Sequence, residues 1–370
     1  MKFSCEKYLI QQAVGIASRS TAAKSPVPAL EGLLIQAGEQ VKITGYDLKK
    51  GIYTSFPADV AEPGAIILNA KLFGEIVRSL PDGIVDISTD GFKTFIHCGA
   101  SDFTVLGKDS AEYPELPAVD RRNAVAIPQN ILGKMIRQTI FAVSDNESRP
   151  VYTGALFDIH DSALSVVAVD GYRLALRKEE IESGNMEECS FIVPGNALSD
   201  VEKLCAESEE NVNITVGEKH ISFEIDQTVL ISRRLEGEFL NYKKSIPTQF
   251  AITAGTNRND FMRAVSRVSL VIDEKAKNPI RLTVSEESVD LSCRTGIGNA
   301  DDQCAAEITG QAGITIGFNN RYLLDALRAA PEEDITLGLN TSSSPAVLIP
   351  SDGGDSFAYM ILPIRLRAGE

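Results

Sequence analysis

The chain has 370 residues, 44% of them hydrophobic, with 51 acidic side chains against 36 Lys and Arg and a formal net charge of -15. That length predicts two or three domains with packed cores, and no window approaches the roughly 18 uninterrupted apolar residues that a membrane span requires. A uniformly acidic surface excludes nucleic-acid binding unless the charge is segregated; Glu6 and the Gln11, Gln12 pair interrupt the run a signal peptide would need, so a cytoplasmic chain is expected.

The first predicted helix is amphipathic and covers CEKYLIQQAVGIA. VKITGYDLKKGI alternates apolar and polar residues as a strand with one buried face does, and IILNAKLFGEIVRSL reads as a short strand, a polar break and a helix with apolar positions three or four apart. After a break at AVDRRNAVAIP the order recurs as helix PQNILGKMIRQTIFAV, strand LSVVAVDGYRLAL and strand-break-helix FIVPGNALSDVEKL. A second break at SIPTQFAITAG leads into NRNDFMRAVSRVSLV, VDLSCRTGIGNA and ITIGFNNRYLLDALRAA.

This order is a threefold repeat. Phe73, Leu198 and Leu323 stand 125 residues apart at each step and bring Glu75, Asp200 and Asp325 into register, while Val41, Leu164 and Val289 stand 123 and 125 apart. The predicted fold class is α+β, three similar domains in a row at 1–123, 124–249 and 250–370.

Within the repeat, Asp170 of VAVDGYRLAL registers with Asp47 and with Thr295. An acid that returns at one strand end is expected to form a turn by accepting backbone N–H groups, in preference to a catalytic role. Arg173 is different, since its registered residues are Lys50 and Gly298.

No catalytic residue, metal or cofactor is predicted. His97, His160 and His220 lack metal-ligand or helix-borne spacing, and the six cysteines, Cys5, Cys98, Cys189, Cys205, Cys293 and Cys304, form no CxxC pair, as expected for free thiols in a reducing compartment. Phosphate-loop, nucleophile-elbow and HExxH patterns are absent, GYDLKKG lacks the glycines and trailing hydroxyl of a phosphate loop, and the pairs Glu179, Glu180 and Glu332, Glu333 read as solvated faces.

The charge is segregated. Acids gather at Glu182–Ser190, ESEEN and PEEDI, whereas PQNILGKMIRQTIFA has none. On that helix Leu132, Met135, Ile136, Thr139 and Ile140 share one face and Lys134 and Arg137 the other; in the third repeat Phe261, Val265 and Val268 face inward and Arg263 and Arg267 outward. Lys7, Lys71, Arg78, Lys203, Arg321 and Arg328 lie on equivalent helices. A charged outer face is the default of any amphipathic helix, but two acid-poor opening helices in an acidic chain predict non-specific contact with duplex phosphates. Few aromatics interleave and there is no Trp, so base stacking of single strands is not expected.

The ordered segments MKFSCEKYLIQQAV, TGYDLKKGI, VDGYRLAL, GEFLNYKKSIP, IGFNNRYLLDAL and YMILPIRL resemble, over essentially the whole chain, the bacterial sliding clamp family, the beta subunit of the replicative DNA polymerase III holoenzyme. The resemblance implies a non-enzymatic, head-to-tail homodimeric ring of DNA-clamp domains, helices inside and antiparallel sheets outside, encircling double-stranded DNA and associated with the nucleoid during replication. It adds Lys24 and Asn146 to the DNA-binding set. It further implies a pocket for short Leu/Phe-rich motifs of the replicative polymerase, the clamp loader and other proteins. By position that pocket comprises Tyr152, Val169, Gly171, Tyr172, Arg173, Leu174, Leu240, Asn319, Tyr322, Ala346, Met360, Leu362, Pro363, Ile364, Arg365 and Leu366. The subunit seam would bring Phe103 and Val105 against Val271 and Ile272 of the other copy.

Departures from the family pattern are Pro150 and Val151 where relatives place aromatic residues, Val169 for Thr, Leu240 and Ser245 for Pro and Val, and the added Arg367–Glu370. MILPIRL read from its residues alone has a lesser, rival reading as a last core strand. The rival readings are a multi-domain enzyme with an unrecognised active site, which should show a unique polar cluster breaking the threefold pattern, and a β-rich surface adhesin, which should carry a secretion signal.

Overall fold

The computed structural model describes residues 1–119, 124–181, 188–273 and 278–366. The tail Arg367–Glu370, most of the acidic stretch Glu182–Ser190 and residues 120–123 of the first predicted break therefore lie outside the described residues. Among those described, no helix is long and apolar enough to cross a membrane.

Seven α-helices occur among the described residues: α1 (Lys7–Ala17), α2 (Ala70–Ser79), α3 (Gln129–Arg137), α4 (Gly195–Leu204), α5 (Tyr242–Ser245), α6 (Arg258–Val268) and α7 (Asn320–Ala329). The repeat is visible in their bounds, for α2, α4 and α7 are each ten residues long and begin at 70, 195 and 320. Their registered residues Phe73, Leu198 and Leu323 are all buried. Asparagine starts four of the helices: the side chain of Asn69 accepts from Leu72 N at 3.0 Å, Asn241 from Lys244 N at 3.2 Å, Asn257 from Asn259 N at 3.0 Å, and Asn319 from Arg321 N at 2.9 Å.

Two predicted boundaries are corrected. Each opening helix is preceded by a short strand, Lys2–Glu6, Ala124–Pro128 or Ile252–Asn257. The segments read as breaks thus supply sheet hydrogen bonds, because five or six alternating residues suffice for a strand but are too few to stand out in a sequence. Helix α3 stops at Arg137, ahead of Thr139 and Ile140. The Thr139 hydroxyl donates to Met135 O at 2.8 Å and Ile136 O at 3.3 Å, and a 3-10 turn follows at Ile140–Ala142.

The described residues form two compact units. The first contains an eight-stranded antiparallel sheet and a five-stranded one. In the larger sheet Thr228–Arg233 of the second sequence repeat pairs with Lys50–Phe56 of the first, in the register Leu230 to Ile52. One core joins both sheets to α1 and α2 through Phe3, Ile10, Val14, Leu33, Ile43, Phe73, Val77, Ile87 and Ile96. Burying each such side chain contributes roughly 1.5–3 kcal/mol.

The second unit has a nine-stranded sheet and a four-stranded one. The nine-stranded sheet again joins two repeats, with Arg173–Glu180 pairing Phe357–Ile361 in the register Leu174 to Met360. The strand Ala163–Val169 overturns the expectation of a single buried face, since all seven residues are buried. One of its faces carries Val167 and Val169 into an apolar cluster with Leu156, Tyr242 and Met360, against which Phe239, Leu240 and Ile246 pack. The segment that leads into the second predicted break therefore covers the second face.

Candidate functional site

The turn at residues 170–173 is built from hydrogen bonds that its sequence repeats predict. Asp170 Oδ1 accepts from Tyr172 N at 2.8 Å and Arg173 N at 3.0 Å; Asp47 Oδ1 accepts from Lys49 N at 2.9 Å and Lys50 N at 2.7 Å; Thr295 Oγ1 accepts from Ile297 N at 3.3 Å. One side-chain oxygen closes the same turn three times. Gly171, at φ +94°, occupies a conformation that side chains rarely adopt.

Arg173 ties this turn to α7. Its Nε donates to Asp170 Oδ2 at 2.9 Å and its Nη1 to Asp325 Oδ2 at 2.6 Å. The guanidinium lies 4.5 Å from the ring centre of Tyr322 and 5.3 Å from that of Phe141. Tyr172 stacks on Tyr322 at 6.4 Å. Burial, and secondarily the charge of Asp170, push the Tyr322 phenol up from its ordinary range, with Arg173 opposing. Arg173 is therefore a half-buried strut that hydrogen-bonds to Asp170 and Asp325 within the protein, while Tyr172, 63% exposed, is what the turn offers outward.

Beside the turn, five sequence-predicted residues fall into one apolar cluster: Val169, Leu174 and Met360 are buried in it, and Tyr152 and Leu240 pack against it. Tyr152 meets Phe239 edge to face at 5.6 Å. The chain after the last strand runs along the turn, with Leu362 N donating to Tyr172 O at 2.8 Å and Ile364 N to Gly317 O at 2.7 Å. Leu362 and Arg365 are exposed, Pro363, Ile364 and Leu366 half-buried. A Cβ on Gly317 would stand 2.7 Å from Leu366 Cδ2 and 2.8 Å from Ile364 O, so this glycine admits the tail. Asn319 caps α7, and Ala346 is fully buried in a strand opposite Ile361, presenting no surface.

Phe141, Asp325, Phe239 and Tyr242 were not predicted. Tyr242 Oη donates to Asp158 Oδ2 at 2.6 Å. Burial, followed by that bond, holds its phenol well above the ordinary range. The only signal available was the apolar spacing of Leu235, Phe239, Leu240, Tyr242 and Ile246 within a stretch rich in charge. The cluster borders an open groove of about 860 Å³ through Leu176, Tyr242, Ile246, Phe250, Ile349 and Ala358. None of the sequence-predicted pocket residues lines that groove.

The predicted DNA-contacting residues are all exposed. Lys24, Lys71, Arg78 and Lys203 belong to the first unit, and Lys134, Arg137, Asn146, Arg263, Arg267 and Arg321 to the second. Arg137 pairs with Glu202 at 2.8 Å, Arg263 with Asp260 at 3.6 Å and Arg267 with Asp302 at 2.5 Å. The Arg267 hydrogen bond holds the Asp302 carboxyl below its usual range. Exposed pairs of this kind contribute about 0–1 kcal/mol, so a phosphate can displace the carboxylate at little cost. Asn146 Oδ1 accepts from Ser148 N at 2.9 Å and so shapes its own turn.

At the predicted seam, Phe103 and Val105 lie on Ser101–Leu106, an edge strand of the five-stranded sheet, and the turn Ser269–Val271, which Ile272 follows, adjoins Gly298–Ala305, an edge strand of the four-stranded sheet. Leu106 is 76% exposed, Leu270 82% and Ile297 75%. These three were not predicted; isolated apolar residues in turns and strand ends carry no periodic signal. The ligand atoms of His160, Asp161 and Glu188 lie within 4.8 Å of one another, an exposed grouping that folding creates from residues distant in sequence. Exposed groups of this kind are common without an ion, and it carries no metal assignment.

Profiles of the DNA polymerase III beta subunit match residues 1–117 with its N-terminal domain, 126–241 with its central domain and 243–365 with its C-terminal domain. The beta sliding clamp of Staphylococcus epidermidis is 33% identical over 377 residues, covering 99% of each chain. That of Bacillus subtilis is 30% identical, covering 99% of this chain and all of the relative. The crystal structure of the DNA polymerase sliding clamp from Bacillus subtilis superposes with a TM-score of 0.95 at 29% identity, covering 99% of this chain and 100% of that one.

Proposed function

The chain belongs to the DNA polymerase III beta subunit family, the bacterial sliding clamps, and from that membership we propose how its surfaces perform the task of a processivity factor. Like its family it is no enzyme. It encircles duplex DNA as a head-to-tail homodimeric ring of three-domain subunits, with divisions at 1–123, 124–249 and 250–370, and acts in the cytoplasm at the nucleoid. The observation that carries this reading is the recurrence, on equivalent helices of all three repeats, of exposed Lys and Arg opposite buried apolar faces: Lys71 and Arg78, Lys134, Arg137 and Lys203, and Arg263, Arg267 and Arg321.

Phosphate contacts carry no sequence information and have the same energy at each base-pair step, so they permit sliding. Retention comes from closure. A ring cannot leave an uncut circle without opening, and a heterologous contact between the strand-edge regions of Phe103 and Val105 and of Val271 and Ile272 closes a ring of two only if the rotation returns on itself. The apolar cluster under Val169, Leu174 and Met360, with Tyr172 and Leu362 exposed beside it, supports the reading of a pocket for Leu/Phe-rich partner peptides. Replacing Met360 and Leu362 by Ala should abolish the binding of a polymerase-derived peptide while the dimer persists.

The direct test is topological. Protein loaded on nicked circular duplex should remain bound through gel filtration and be released on linearisation. Equal retention on circular and linear DNA would exclude encirclement.

A further inference from the structure

The groove of about 860 Å³ continues the apolar surface beneath the peptide pocket. Alternate residues of the strand Arg173–Glu180 share a face. Leu174, opposite Met360, is buried in the apolar cluster; Leu176, opposite Ala358, packs against that cluster and also lines the groove. Lys178 and Glu180, next on the same face, line the groove beyond the cluster. Tyr242 and Ile246 form a shared wall, one buried in the cluster and the other packed against it, with both bordering the groove.

Along this face the surface changes from apolar to acidic. Above Leu176, Ile246, Phe250, Ile349 and Ala358 the described lining carries four carboxylates, Asp158, Asp161, Glu180 and Asp355, against two lysines and one histidine. Both lysines are matched within the protein, Lys178 with Asp355 at 2.5 Å and Lys243 with Asp158 at 3.2 Å. Asp161 and Glu180, both exposed, stand outside those two pairs.

We propose that this groove receives a second segment of a partner protein, a Leu or Phe flanked by Lys or Arg, carried in the same chain as the Leu/Phe-rich motif that enters the neighbouring pocket. The apolar floor takes the Leu or Phe, and the flanking cations face Asp161 and Glu180. Two features select this occupant: the surplus of negative charge on the rim, and the unbroken apolar surface that joins the groove to the pocket through Leu176, Tyr242 and Ile246. The inference rests on the pocket reading and extends it to partners that bind through two sites instead of one.

The test uses the full-length protein and fluorescent peptides: a polymerase-derived Leu/Phe motif alone, the motif joined at either end through a Gly/Ser linker to Arg-Leu-Leu-Arg, and the same constructions ending in Glu-Leu-Leu-Glu. From Leu174 to Glu180 the strand advances roughly 20 Å, a distance that a flexible linker of about twelve residues matches. Tethering makes the second contact intramolecular, so the arginine tail at one end of the motif should tighten binding roughly tenfold, and the glutamate tail should not. Thr248→Trp places a bulky ring at an exposed residue of the groove. Asp161→Asn with Glu180→Gln removes two charges and keeps shape, and asparagine tolerates the φ of +50° at position 161. Each variant should return the arginine-tailed peptide to the affinity of the motif alone, while the motif itself binds as it does to the parent and the melting temperature holds. No gain from the arginine tail at either end, or a gain that survives in either variant, would overturn the groove and leave the pocket standing. A glutamate tail as effective as the arginine tail would overturn the basic occupant. Failure of the motif alone to bind the parent would remove the pocket reading on which the groove depends.

Discussion

Arg173 and Asp325, 152 residues apart in sequence, meet at 2.6 Å across the second unit, and the same guanidinium lies 4.5 Å from the ring centre of Tyr322 one helical turn away from Asp325. With Asp170 on its other side, Arg173 fixes the VDGYR turn to α7, and hence fixes where Tyr172 stands.

Arg173→Ala should therefore destabilise the protein by about 3–5 kcal/mol, the magnitude for breaking a largely buried pair, because Asp170 and Asp325 lose their shared cation. Arg173→Lys should recover only part of this, since an ammonium cannot reach both carboxylates while covering two rings. Urea unfolding measures both. A loss below about 1 kcal/mol for Ala would show that the network is ornamental to stability.

Gly317→Ala should displace the tail without unfolding the unit. The added methyl meets the Ile364 carbonyl as well as the flexible end of Leu366, so the segment must shift away from the strand. Trypsin cleavage at Arg365 should accelerate severalfold while the melting temperature changes little. Unchanged cleavage would mean that the backbone relaxes elsewhere.

Stability should fall on the alkaline side. Tyr242 has a folded-state pKa raised above its unfolded value, so its contribution is complete below about pH 10 and is lost as pH rises through the folded value, because unfolding then releases a proton. Tyr242→Phe, which also leaves Asp158 without this donor, should lower stability at pH 8 and flatten the decline between pH 10 and 11.5. Thermal melts across that range check it; parallel declines in both proteins would assign the effect to other buried phenols, such as Tyr359.

Replacing Val271 and Ile272 by Lys should give monomers by light scattering, and Leu270→Lys, at the most exposed apolar residue of that region, should weaken the dimer at least tenfold. Each substitution places a charge in a contact that closure would desolvate. A dimer that persists in both variants would move the seam to another strand edge.

How much of this could be read from residues alone follows from what a pattern can encode. The repeat of α2, α4 and α7, the inward residues Phe73, Leu198 and Leu323, and the carboxylate-closed turns at Asp47 and Asp170 were legible, because helix periodicity and turn chemistry act over a few neighbouring residues. Periodicity names a face but not the surface that covers it. Only the folded chain decides that Thr228–Arg233 continues the sheet of Lys50–Phe56, that the segment of Phe239, Leu240 and Tyr242 buries the second face of Ala163–Val169, and that Arg173 spends its charge on Asp170 and Asp325. Each of those outcomes is a pairing between groups far apart in sequence, selected by the burial and hydrogen bonding of the whole, and no local run of residues specifies its partner.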